Sequence, residues 1–403
     1  MERHEEKLER LQEQVLEEMD LTREVDDEEL VDLIYHVVEK ETEEEFLPLR
    51  EKSMLGRELF NSFRKLNVLQ ELLEDDTVTE IMINGTQNIF IERGGRISQS
   101  GRRFISKGKL EDIIQQIVAG VNRIVNESTP IVDARLPDGS RVHVVLSPVA
   151  LNGPIVTIRK FPKQRITMEQ LCEWDSVSKE AAEFLEVLMQ SKMHILISGS
   201  TGSGKTTFLN ALSDFIPKDE RMIVIEDNAE LQIEGIPNLV RLETRNANTE
   251  GEGEISIRQL IKAALRMRPS RIIVGEVRSV EAVDMLQALN TGHPGASTIH
   301  ANSAKDALGR LETMVLMGMN IPLEAVQRQI ASGLDILIHL GRLRDKTRRV
   351  LEIVEILDYE KGEVRLNPLF RFEETGVDHG KIQGVLKKVG ELKKRDKFVE
   401  AGY

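Results

Sequence analysis

Over the first fifty positions, apolar residues return every three or four places. Leu8, Leu11 and Val15 make one stripe, and Leu30, Leu33, Ile34, Val37 and Val38 make another, with a break near Thr22 to Asp26. Such a period places the apolar side chains on one face of a helix, so residues 1–60 are expected to form a small amphipathic helical segment. Its stripes are expected to pack on their own domain. From Leu66 to Phe161 the period shortens to two. Thr79 to Gly85 and Asn88 to Glu92 flank a turn, as a hairpin does, a helical stretch runs from Leu110 to about Val125, and Arg141–Val145 and Pro154–Arg159 alternate like strands. Residues 61–161 therefore read as an α+β domain. The polar, proline-containing run Phe161-Pro162-Lys163-Gln164-Arg165 predicts a linker at 162–167.

Beyond it, residues 168–403 alternate short, wholly apolar runs with helical stretches. The runs are Ile195–Ser198, Met222–Ile225, Arg271–Gly275, Ala296–His300 and Asp335–Leu340. Strands buried on both faces and separated by helices belong to parallel sheets. The expected fold class is α/β, with a doubly wound, mostly parallel sheet preceded by the smaller α+β domain and the helical segment.

At 403 residues with 40% hydrophobic content, the chain can build two or three cores. No stretch approaches the roughly 18–20 apolar residues needed to cross a bilayer, and the start MERHEEKLER lacks a signal-peptide core, so a cytoplasmic protein is expected. The single Cys172 excludes an internal disulfide and any multi-cysteine metal site. Residues 1–50 hold 19 Asp and Glu against 6 Lys and Arg, so 13 of the 14 net negative charges fall there. An acidic segment is a poor partner for nucleic acid or anionic lipid, whose phosphates attract Lys and Arg. Lys387, Lys388, Lys393, Lys394, Arg395 and Lys397 make the other end basic, and a solvated helix face is the expectation there.

The chemistry concentrates directly after the apolar run that ends at Ser198. Gly199-Ser200-Thr201-Gly202-Ser203-Gly204-Lys205-Thr206-Thr207 has the GxxxxGKT spacing of a P-loop. Glycines let consecutive N–H groups turn toward phosphate oxygens, and the positive end of the next helix faces the same anion. Lys205 would reach the β- and γ-phosphates of ATP, and Thr206 would hold Mg²⁺. A nucleoside triphosphatase also needs carboxylates for the metal and the attacking water. Two apolar strands supply them: Arg271–Gly275 ends in Glu276, and Ile223–Ile225 delivers Glu226 and Asp227, with Glu230 four residues past Glu226.

The segments GSTGSGKTT, VIEDNAEL, VRLETR, RMRPSRIIVGEVR and NTGHPGASTIHANS follow the order Walker A, Asp box, Walker B and His box. In this the chain resembles the type II/IV secretion ATPases. RLPDGSRVHVVLSPVALNGPIVTIRKF upstream, and RLETMVL with HLGRLRDKTRRVLEIVEI downstream, look like the CpaF/TadA branch that assembles tight-adherence (Flp) pili. The likeness spans roughly residues 66–373.

That resemblance implies a RecA-like ATPase domain using ATP and Mg²⁺. It implies Glu230 and Glu276 as the pair serving the metal and the attacking water, without deciding which is the base, and Asp227 beside them. It implies His300 near the γ-phosphate, and Arg141 and Arg159, with Arg135 a weaker third, as arginines reaching nucleotide at a domain or subunit boundary. It also implies a hexamer on the cytoplasmic face of the membrane, coupled to an integral inner-membrane platform. Two other classes stay open: a nucleic-acid motor of helicase type, and a nucleotide-gated assembly factor with little turnover. An aromatic content of 4% and the lack of a basic, aromatic strip count against base stacking.

Overall fold

A computed structural model of the chain describes residues 2–19, 25–42, 48–64, 66–104, 106–121, 123–161, 165–245, 247 and 252–403. Residues 162–164 of the expected linker, and 22–24 of the N-terminal break, lie outside them. The chain divides into two compact units, Met1–Lys163 and Gln164–Tyr403.

The first unit opens with three helices, α1 (Glu2–Glu18), α2 (Asp27–Thr42) and α3 (Leu49–Arg64). Leu11 and Val15 of α1 pack with Leu30, Ile34, Val37 and Val38 of α2 and with Leu55 and Leu59 of α3, so the two stripes bury each other in a small core of their own. Then follow α4 (Val68–Glu74), β1 (Val78–Asn84), β2 (Asn88–Arg93), β3 (Arg96–Gln99), α5 (Lys107–Ala119), β4 (Ile131–Arg135), β5 (Arg141–Val145) and β6 (Ile155–Arg159). The six strands form one antiparallel sheet in the order β3-β2-β1-β6-β5-β4. Ile81, Ile83, Val142, Val144, Val156 and Ile158 lie on the face covered by α4 and α5. The alternate residues face away from that core, as a period of two dictates. The helix expected to reach Val125 stops at Ala119, where Gly120 caps it.

The second unit contains α6 (Met168–Glu173), α7 (Lys179–Gln190), β7 (Ile195–Gly199), α8 (Lys205–Ser213), β8 (Met222–Glu226), β9 (Leu239–Glu243), α9 (Ile257–Ala264), β10 (Arg271–Val277), α10 (Ala282–Asn290), β11 (Gly295–His300), α11 (Ala304–Gly318) and α12 (Leu323–Gly333). After them come β12 (Ile336–Arg342), β13 (Arg348–Glu360), β14 (Glu363–Asp378), β15 (Lys381–Lys388) and α13 (Asp396–Glu400). Its nine-stranded sheet runs β15-β14-β13-β12-β7-β11-β10-β8-β9. Neighbours from β12 to β9 are parallel, and β13 to β15 extend the sheet antiparallel. Helices cover both faces. Ile195, Ile197 and Ile338 point into a core with α7 and α8, while Leu196, Leu337 and Ile299 point into one with α10, α11 and α12. Each fully buried side chain of this kind contributes roughly 1.5–3 kcal/mol through the area removed from water.

The basic C-terminal stretch departs from the solvated helix face expected of it. Lys387 and Lys388 lie in β15, and the backbone N–H groups of Lys393 and Lys394 donate to the buried carboxylate of Glu355 at 2.6–3.1 Å. Lys397 donates to Asp335 at 2.5 Å. Cross-strand pairing and buried acceptors therefore order this stretch despite its charge.

Arg271 opens β10 fully buried and grips Glu220 through Nε at 2.8 Å and Nη2 at 3.0 Å, with a further bond from Nη2 to the Met189 carbonyl. A buried pair broken on one side leaves a charge without compensation. Glu220→Ala is accordingly expected to lower the unfolding free energy of the second unit by roughly 3–5 kcal/mol. Urea denaturation followed by circular dichroism measures it, and a loss under about 1 kcal/mol would contradict this account.

Candidate active site

β7 ends at Gly199, and the loop to α8 wraps the helix's N-terminus. Gly202 and Gly204 have φ of 72° and 93°, a region that residues with a Cβ enter only under strain. At Gly199 the constraint is space. A Cβ there would lie 2.5 Å from the Ser203 hydroxyl and 2.6 Å from the Leu340 carbonyl of β12. Ser203 is itself buried, and its hydroxyl has no hydrogen-bond partner. A tight loop of bare backbone at a helix start, holding an orphaned hydroxyl, fits a phosphate group well.

Lys205 folds back over the loop and donates to the carbonyls of Gly199 at 3.1 Å and Ser200 at 3.2 Å. Its Nζ lies 3.3 Å from Nδ1 of His300 at the end of β11. The other ring nitrogen, Nε2, stands 2.7 Å from Oε1 of Glu276, a contact lacking the alignment of a hydrogen bond. From Glu276 the line continues to Arg278, which donates to its Oε2 at 2.7 Å and to Asp227 at 3.2 Å. Cation, imidazole, carboxylate, cation and carboxylate thus alternate across the C-terminal ends of neighbouring strands. Burial pushes the His300 imidazole below its ordinary range, and Lys205, Arg278 and Arg310 add to that against the opposing pull of Glu276. The ring therefore stands neutral at pH 7.

Glu226 differs from its neighbour Asp227. It is buried and receives the N–H groups of Glu230 and Leu231, both at 2.9 Å, so that it shapes the loop carrying Glu230. Burial raises its pKa, opposed by those two N–H groups and by Arg241. The Gly-Glu end of β10 follows from this packing. A Cβ at Gly275 would meet Cγ of Glu226 at 2.9 Å, so only glycine lets the Glu226 side chain pass between the strands.

The structure thus gathers Lys205, His300, Glu276 and Asp227 at one place, with Glu230 close enough to act electrostatically on Arg278. Thr206 and Thr207 lie in the first turn of α8, half-buried. Arg141 and Arg159 belong to the first unit, where they stand opposite each other on β5 and β6, and Arg135 stands opposite Arg141. Glu80 faces Arg159 from β1. Three guanidinium-bearing residues therefore share one row of the sheet, on the face turned away from α4 and α5.

Sequence reading missed Arg278 and Arg348. Arg278 follows Glu276 by two positions, the spacing that returns a strand residue to the same face, and that was the available signal. Arg348 is distant in sequence yet donates to the Gly202 carbonyl at 2.8 Å from the β12–β13 hairpin, a contact that exists only through the sheet order.

The model of the type II/IV secretion system protein family matches residues 63–389. The chain belongs to that family. A putative conjugal transfer protein of Mycobacterium tuberculosis is 34% identical over 305 residues, covering 74% of this chain and 86% of the relative. The type IV secretion system protein VirB11 of Brucella suis is 31% identical, covering 68% and 84%. Among solved structures, the pilus retraction motor PilT with bound ADP superposes with a TM-score of 0.53 at 22% identity over 73% of this chain and 83% of its own. The Legionella pneumophila ATPase DotB gives 0.52, also at 22%, over 73% and 80%. These likenesses show the shared fold, a RecA-like α/β ATPase architecture. Among the described residues, no helix of this family member is long and apolar enough to cross a membrane.

Gly199→Ala tests the cradle directly. It is expected to weaken binding of a fluorescent ADP analogue at least about tenfold, the equivalent of 1.4 kcal/mol, while thermal melting confirms the fold. Unchanged affinity would show that the loop tolerates the added methyl group.

Proposed function

We propose that this protein hydrolyses ATP with Mg²⁺ and that the reaction drives pilus assembly or protein secretion. The observation carrying the proposal is the line from Lys205 through His300 to Glu276 and Arg278 at the mouth of the phosphate cradle. Hydrolysis forms a bond between water oxygen and the γ-phosphorus and breaks the bond from that phosphorus to the β,γ-bridging oxygen. ADP and phosphate leave, and the water's proton must go to a base or to phosphate. Lys205 and the loop N–H groups bind the β- and γ-phosphates. Thr206, Glu276 and Asp227 are the protein groups offered to Mg²⁺, which would neutralise the phosphate charge when bound. Glu276 orients the water, with Glu230 as the other member of the pair. A neutral His300 donates from its ring to an oxygen of the γ-phosphate or answers to its loss.

An arginine that meets the transferring phosphoryl group is worth roughly 10³–10⁵ in rate. The row of Arg135, Arg141 and Arg159 is suited to that part. We assign Arg141 and Arg159 to it, meeting nucleotide when the two domains, hinged at 162–167, draw together within a subunit or across a subunit boundary. Such a closure can be driven only by the ligand's higher affinity for the closed state. The subunits form a hexameric ring at the inner face of the cytoplasmic membrane, and an integral platform protein receives the motion. The names of the relatives, conjugal transfer, type IV secretion and pilus retraction, support that class of work. We place the chain in the CpaF/TadA branch on the segments flanking the nucleotide motifs.

Arg141→Ala and Arg159→Ala are each expected to keep ATP-analogue affinity within about threefold and to lose hydrolysis by roughly 10³-fold; normal turnover in both would sink the assignment. Turnover per subunit should rise with protein concentration and ignore single-stranded DNA. Strong stimulation by DNA would favour the nucleic-acid motor, and a flat, near-zero rate in both conditions would favour the assembly factor.

A further inference from the structure

The order of strands around β7 gives the phosphate cradle two distinct ends. β11, β10 and β8 lie on one side of β7 and bring His300, Glu276 and Asp227 to the loop, while β12 lies on the other. A triphosphate whose γ end meets that carboxylate line extends its nucleoside end toward β12. β12 continues into the hairpin with β13, which carries Arg342, Arg344, Arg348 and Arg349. Two of these serve the hairpin's own packing. Arg344 donates from Nη1 to Glu374 of β14 at 2.8 Å, and buried Arg349 donates to the carbonyls of Asp175 at 3.2 Å and Ile382 at 3.0 Å. The other two lie against the P-loop. Arg348 donates from Nε to the Gly202 carbonyl at 2.8 Å, and its Cδ stands 3.5 Å from where a Cβ on Gly204 would be. Nη1 of Arg342 stands 3.8 Å from the same point on Gly202.

Arg342 and Arg348 are direct partners across the β12–β13 ladder. Like charges so placed repel, and an electron-rich ligand beside them relieves the repulsion. Arg348 is exposed, and among the described residues no carboxylate pairs with it and no acceptor meets its two Nη groups. One edge of the guanidinium is therefore fixed to the loop, and four of its five N–H donors remain for a ligand. A planar cation held in this way suits a ribose oxygen at its edge and a purine ring against its face. We propose that Arg348 is a nucleoside-binding residue of the ATP site, anchored through Nε to Gly202 and meeting the ribose and base at the end of the cradle away from Glu276. Arg342 adds positive charge beside it. ATP and ADP carry the same nucleoside, so both make this contact. The inference rests on the ATPase reading above.

Displacement of a fluorescent ADP analogue from the full chain, by ADP and by inorganic pyrophosphate, tests the contact without turnover. Pyrophosphate fills the phosphate cradle and has no nucleoside. Arg348→Met, which keeps an apolar stem beside Gly204, is expected to weaken ADP at least about tenfold and pyrophosphate by less than about twofold. Arg348→Lys keeps a donor for the Gly202 carbonyl but loses the planar fork. It is expected to weaken ADP at least about threefold and to leave pyrophosphate within about twofold. ADP affinity close to wild type in Arg348→Met would overturn the proposal. Equal losses for ADP and pyrophosphate would also overturn it, because the arginine would then act only by propping the P-loop. In either case a wild type that binds both ligands leaves the ATPase reading standing. A wild type that binds neither would overturn the ATPase reading and this contact with it. If Arg348→Met fails to fold, the Lys variant decides by the same comparison, and unchanged ADP affinity in it would sink the role of the planar fork.

Discussion

Crowding at the end of β7 is the constraint on which the second unit depends. Gly199 lies where the Ser203 hydroxyl and the Leu340 carbonyl would stand 2.5 Å and 2.6 Å from a side-chain carbon, so the chain can turn there only as bare backbone. The turn directs N–H groups and the N-terminus of α8 toward one point, which is what an anion requires. Leu340 belongs to β12, so the cradle's shape depends on a strand more than a hundred residues away in the chain. β11 and β12 flank β7 on either side, and their ends bring His300 and the β12–β13 hairpin to the loop.

Electrostatics at this place follows from alternation. Lys205, Glu276, Arg278 and Asp227 interleave in sign around the His300 imidazole: Arg278 pairs with both carboxylates, and the buried Lys205 is separated from Glu276 by the ring. Other buried charges serve packing instead. Glu226 organises the loop bearing Glu230, Glu355 holds the C-terminal stretch, and Arg271 with Glu220 anchors the base of β10. Each of these charges is tied by hydrogen bonds, as the cost of burying it unpaired demands, whereas the buried hydroxyl of Ser203 at the cradle has no partner.

The two units solve the edge and face problems of a sheet differently. In the second, helices cover both faces and the central parallel strands are buried and mostly apolar, which is why their runs stand out in the sequence. In the first, α4 and α5 pack on one face, so the alternate positions are partly or fully exposed and mix polar with apolar residues, and the arginine row sits among them. The three N-terminal helices bury their stripes against one another, and 13 of the chain's 14 net negative charges fall within residues 1–50.

Local chemistry was enough to determine the helical N-terminal segment, the hairpin at 79–92, the apolar parallel strands, the P-loop and the carboxylates at strand ends. Each of these depends on residues within about ten positions of one another, where period, glycine placement and charge act directly. Tertiary structure alone decided the antiparallel extension by β13 to β15, the ordering of the basic C-terminal stretch, and the contact of Arg348 with Gly202. Those depend on which strands become neighbours in the sheet. Pairing between strands is paid for by burial summed over the whole core, and no single segment carries that sum.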